Sequence, residues 1–128
     1  MAPCSENEPQ KRTWTQKFRD AFRGLRCGVR RQTSFVVHCV VAAAVVVAAA
    51  VLQAALWEWC VLLLCIAGVM TAEMFNSAIE YLAKLVEDKH DPRMADALDT
   101  ASGAVLVASI GAAIVGAIVF LNLLLRAG

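Results

Sequence analysis

Two long apolar runs without a charged residue limit what this 128-residue chain can fold into: residues 35–56, 22 in all, and residues 101–125, 25 in all. About 20 apolar residues cross a bilayer core of roughly 30 Å, and a soluble domain of this length offers no core that could bury two such runs. Both are expected to span a membrane. A third helical pattern runs unbroken over residues 58–86, 29 residues or about 43 Å at the α-helical rise. That exceeds the core thickness, so its last turns should project beyond the bilayer. The expected fold is all-α and integral to the membrane, with spans at about 35–56, 58–86 and 99–125.

The net charge of +1 conceals an asymmetry. Eight of the twelve Lys and Arg residues lie before residue 35: Lys11, Arg12, Lys17, Arg19, Arg23, Arg26, Arg30 and Arg31. Lys84, Lys89 and Arg93 lie between the second and third spans. The link 57–59 has no basic residue, and the C-terminus has only Arg126. Positive residues stay on the cytoplasmic side, which places the N-terminus and the 84–99 loop there. The 57–59 turn, with Trp57 and Trp59, and the C-terminus are expected outside. The basic first 34 residues carry no cleavage-like site, so the first span reads as a retained helix. The five cysteines (4, 27, 39, 60 and 65) are odd in number and lack metal-site spacing, and they read as reduced structural thiols.

Residues 1–10 read as a disordered tail. Over 11–31, Trp14, Phe18, Ala21, Phe22, Leu25 and Val29 recur at three- and four-residue intervals with Lys and Arg between them. This is the pattern of an amphipathic basic helix on an anionic membrane surface, the alternative being a helix packed on a partner. In the first span, His38 is expected to be a hydrogen-bonded structural residue rather than a ligand.

Glu73, Asn76 and Glu80 stand at i, i+3 and i+7 on one stripe of the second helix. Counted from Glu58 they lie about 22 Å to 33 Å along it, straddling the inner headgroup boundary. Ionisable residues in a membrane helix are costly and point to function. The structural alternative is a pair of carboxylates held by a neighbour's Arg or Lys. Asp99, after a lead-in over 94–98, reads as the N-cap of the third helix or as a functional acid at its positive end. Ala104, Ala108, Ala112 and Gly116 form a small-residue ridge that lets helices approach closely. With three spans per chain, it suggests a homo-oligomer.

The stretch Glu73-x-x-Asn76-Ser77-Ala78-Ile79-Glu80, followed by Asp99-x-x-Ser102-Gly103-Ala104-Val105-Leu106, resembles the prokaryotic diacylglycerol kinase family, which includes undecaprenol kinases. The resemblance covers roughly residues 14–125. It implies a homotrimer in the bacterial cytoplasmic membrane, with no nucleic-acid partner. It also implies transfer of the γ-phosphoryl of ATP, with Mg²⁺, to the hydroxyl of a membrane lipid alcohol, at sites shared between subunits. By the same resemblance Glu73 is the general base and touches the lipid, together with Ser102. Asn76, Glu80 and Asp99 serve the nucleotide and its phosphates, and Glu80 holds the metal. Phosphoryl transfer requires such a base, and Mg²⁺ prefers carboxylate oxygens.

Two positions depart from the family pattern. Gln32 stands where the family has a metal-binding glutamate, and Leu98 where it has a lysine beside the aspartate. Lys84 replaces an often acidic residue. These departures motivate a second reading, a catalytically impaired member that binds lipid or nucleotide. A third class, a proton-linked carrier, predicts carboxylates near mid-bilayer and a polar path to the outer face, and the outer half of each span is nearly all apolar.

Overall fold

A computed structural model describes residues 12–31, 33–86 and 91–128, and the side chains of 28–31 lie outside that description. The tail over 1–10, Gln32 and Lys89 are likewise outside it. Four helices follow in order: α1 (Trp14–Arg31), α2 (Thr33–Val51), α3 (Leu56–Leu85) and α4 (Pro92–Ala127). The last three are long and apolar enough to cross a membrane.

Each helix end has a local chemical cause. At the start of α1 the Thr13 hydroxyl accepts from the Gln16 N–H at 3.4 Å, and Gln16 Oε1 accepts from the Thr13 N–H at 3.0 Å. This is the reciprocal arrangement of a capping box. Along α1, Trp14, Phe18 and Phe22 are exposed, and Asp20 pairs with Arg12 and Arg23. These aromatic side chains therefore remain uncovered by the described residues of the chain.

The end of α2 is a reversal built on Gln53, whose φ is +52°. The Ala54 N–H donates to Ala49 C=O at 2.9 Å and the Gln53 N–H to Ala50 C=O at 3.2 Å, the two bonds of a Schellman motif. The turn thus occupies 52–55, and Trp57, Glu58 and Trp59 lie in the first turn of α3 instead of forming the link themselves. Glu58 is fully buried. It accepts from the Ala55 N–H (2.7 Å), from Asn122 Nδ2 (3.1 Å) and from Arg126 Nη2 (2.9 Å). The start of α3 is thereby tied to the end of α4.

Asp91 caps α4, accepting from the Arg93 N–H at 2.9 Å, with Pro92 in the first turn. This corrects the expectation that Asp99 is the N-cap. Proline has no N–H to satisfy and a φ suited to helix entry, so the helix starts at Pro92 and Asp99 lies inside it.

α3 packs most extensively on α4, α2 packs on α3, and α1 touches α2 and α3. The buried core is Ala49, Leu62, Val119 and Leu123, joined by Trp59 and Phe120. It sits at the end of the bundle that carries the α2–α3 turn. Of the most apolar 18-residue stretch of α4, 6% is buried within the protomer, so most of its apolar surface is left for lipid or for other copies. A methyl group added at Gly116 would meet nothing within 4 Å. The small-residue ridge therefore makes no tight crossing at Gly116 inside one chain. Cys27, Cys39, Cys60 and Cys65 are free thiols, and Cys4 lies outside the described residues.

Candidate functional site

The polar stripe of α3 is buried near the end of the bundle that carries the α3–α4 connection. Glu73 is 3% exposed, Ser77 4% and Asn76 8%, while Glu80 is half-buried. The helical repeat puts these residues on one side, and α2 and α4 cover them. Asn76 Nδ2 donates to Glu80 Oε1 at 2.9 Å, a pairing across one turn that fixes both side chains. Two acceptors in this cluster, Glu73 Oε2 and Asn76 Oδ1, are buried without a hydrogen-bond partner among the described residues. Buried polar atoms are almost always paired, so two unsatisfied oxygens here mark positions where a donor or a cation would be stabilised.

His38 on α2 completes this cluster. Its Nε2 lies 2.9 Å from Glu73 Oε1. The expectation of a hydrogen-bonded histidine is met, and its partner is the candidate base. His38 also rims a cavity of about 390 Å³ between α2, α3 and α4, whose walls include Val41, Ile66, Val69 and Phe120. Ser109 lines it as well, with its hydroxyl buried and unpartnered among the described residues.

A groove between α3 and α4 meets the stripe from the other side. It brings Asn76 together with Arg93, Asp96 and Thr100. Asp99 and Ser102 are exposed and do not line this groove within the protomer. Asp96 falls in the 94–98 lead-in, and Thr100 follows Asp99 with no motif of its own to mark it. Once α4 starts at Pro92, residues 93, 96, 97, 100 and 104 form one helical stripe. Arg93 is held by Asp91 through two side-chain bonds of 3.2 and 2.8 Å. Its guanidinium, followed by its backbone N–H, keeps the Asp91 carboxyl below the usual carboxylate range.

The oxygen donors here suit a hard cation. Glu80 and Asn76 Oδ1 are of the kind Mg²⁺ prefers, and Mg²⁺ needs only one or two carboxylates when substrate phosphates supply the rest. No three metal-binding His, Cys, Asp or Glu side chains converge among the described residues, and Gln32 lies outside them.

Residues 19–120 match the family model for prokaryotic diacylglycerol kinase. The undecaprenol kinase of Bacillus subtilis (strain 168) is 34% identical over 106 residues, covering 83% of this chain and 86% of that protein. No solved structure matches the chain. With most of its length inside the family model and a relative at that identity, the chain belongs to the prokaryotic diacylglycerol kinase family.

Proposed function

We propose that this protein is a membrane lipid kinase that transfers the γ-phosphoryl of ATP to the hydroxyl of a lipid alcohol. The observation that carries the reading is Glu73: a glutamate 3% exposed in a membrane-spanning helix, with one carboxylate oxygen held and the other without a partner among the described residues. A general base must reach the proton it takes, and Oε2 is the atom for that role. The lipid hydroxyl gives its proton to Glu73 as its oxygen bonds to the γ-phosphorus, and the bond from that phosphorus to the bridging oxygen breaks to release ADP. Asn76 and Glu80 would hold Mg²⁺, which when bound neutralises phosphate charge. Arg93 lines the groove beside Asn76, and its guanidinium would exchange Asp91 for phosphate to stand in for the lysine that Leu98 replaces. The apolar cavity beside His38 suits hydrocarbon.

The exposed position of Asp99 and Ser102 fits sites completed by a neighbouring copy, in a homotrimer. The basic N-terminal segment and the end bearing Lys84 and Arg93 face the cytoplasm in this reading, and the C-terminus lies outside. The membrane is the bacterial cytoplasmic membrane, and α1 rests on its surface. The relative's name puts undecaprenol first among substrates, with diacylglycerol second. Gln32 and Leu98 support the alternative of a binding subunit without turnover.

The test is transfer of labelled γ-phosphate from ATP to each lipid by purified protein in mixed micelles with Mg²⁺, beside Glu73→Gln. We expect turnover on one lipid, lowered by 10²- to 10⁴-fold in the variant, as loss of a general base predicts. Full activity in Glu73→Gln removes the base assignment. No transfer from a folded oligomer selects the binding reading.

A further inference from the structure

We infer that His38 is the positioning residue for Glu73, holding one carboxylate oxygen so that the other is presented to the lipid hydroxyl. The assignment rests on Glu73 being the base. Three observations carry it. His38 Nε2 is 2.9 Å from Glu73 Oε1. Glu73 is buried while Oε2 has no partner among the described residues. The nearby amide of Asn76 is turned to Glu80, so that donor does not serve Glu73.

A glutamate carboxylate swings about three side-chain torsions, and apolar helix packing supplies nothing that selects one oxygen for reaction. An ionised carboxylate can only accept, so the imidazole Nε2 carries the hydrogen and donates it to Oε1. The ring is rigid and comes from a different helix, so its position is independent of the α3 side chains. With Oε1 occupied, Oε2 is the acceptor left for the incoming proton. In the transfer that proton passes from the lipid hydroxyl to Oε2 and leaves from there to solvent, while the Nε2 hydrogen stays on His38. The histidine rims the apolar cavity but exchanges no proton with lipid or nucleotide in this scheme. It sets geometry, and small misplacements of a catalytic group cost large factors in rate.

The experiment compares His38→Met, which has similar length and no N–H, with His38→Gln, which retains a donor. Both are assayed on the lipid that the wild type phosphorylates, with oligomeric state checked and Glu73→Gln alongside. We expect His38→Met to lower kcat by about 10- to 100-fold with the KM for ATP unchanged. His38→Gln should recover to within several-fold of wild type. A residue that merely tied α2 to α3 would weaken assembly without this split or this rescue.

Wild-type kcat in His38→Met, or no recovery in His38→Gln, overturns the assignment while Glu73 stands. A silent wild type, or full activity in Glu73→Gln, removes the base and the positioning role with it. Should His38→Met not assemble, ¹⁵N-labelled histidine NMR decides without turnover, with the second histidine, His90, replaced to simplify the spectrum. The downfield Nε2–H signal of His38 should move upfield in Glu73→Gln, whose neutral amide oxygen is a weaker acceptor than the carboxylate, and an unchanged signal overturns the pairing.

Discussion

Two buried glutamates on α3 differ in how their surroundings engage them, one tied down at both oxygens and the other the proposed base. Glu58 receives a backbone N–H, an amide and a guanidinium, so both oxygens are engaged and it locks α3 to α4. Glu73 receives one imidazole at one oxygen, and the other has no partner among the described residues. The same residue type in the same helix thus serves opposite ends of the bundle. Asp91 is a third case. Its carboxyl titrates below the usual range because Arg93 bonds the charged form through its side chain and its backbone N–H. A carboxyl whose folded value is depressed adds stability above its unfolded value, near 3.9 for Asp. That contribution is lost as pH falls through the folded value. At neutral pH, Asp91→Ala should therefore speed hydrogen exchange at the Arg93 amide and lower the Tm modestly. The gap in Tm from wild type should narrow steadily in acid, and a gap that stays constant to the acid end would show that the carboxylate charge plays no part.

At the scale of elements, the α2–α3 reversal carries a local strain. Gln53 occupies the left-handed region, which costs a residue with a side chain roughly 1–2 kcal/mol and costs glycine little. Part of that gain is offset by the greater freedom of glycine in the unfolded chain. Gln53→Gly should raise stability by about 0.5–1 kcal/mol in thermal unfolding, with phosphoryl transfer unchanged because the turn lies far from Glu73. A lower Tm would mean that the glutamine side chain makes a contact worth more than the strain. The three spans were legible because long uncharged runs have few other solutions in water or lipid. The Glu73–Asn76–Glu80 stripe was legible because helical spacing is local. The turn was harder to place: Trp57 and Trp59 mark the interface but already belong to the helix, and a Schellman reversal formed by glutamine lacks the usual glycine signal. The start of α4 was obscured by Asp99, a plausible acidic cap, whereas Asp91 with Pro92 behind it forms the actual helix entry. His38 and Glu73 stand on separate helices, and no periodicity in either segment records that they meet. Asp96 and Thr100 became visible once the helix phase was fixed from Pro92.

For the whole molecule, the placement of acidic groups around α4 argues for a site that one chain does not complete. Asp96 lines the groove beside Asn76, whereas Asp99 and Ser102 lie exposed outside it. Most of the apolar surface of α4 is uncovered in the protomer, so a second copy has room to pack there and carry Asp99 toward a neighbour's Glu73. Closed symmetric assembly repeats each such contact around the ring. Glu73→Gln and Asp99→Asn should each be inactive as pure oligomers. When the two chains are mixed before assembly in equal amounts, a site is intact if Glu73 comes from one variant and Asp99 from the other. With random mixing that probability is one half times one half, so activity should return to about a quarter of the wild-type level. A site contained within one chain would give no return, since every chain in the mixture lacks one of the two carboxylates. Recovery in the mixture, together with its loss when preformed oligomers are combined without exchange, would assign the two groups to different subunits of one reaction centre.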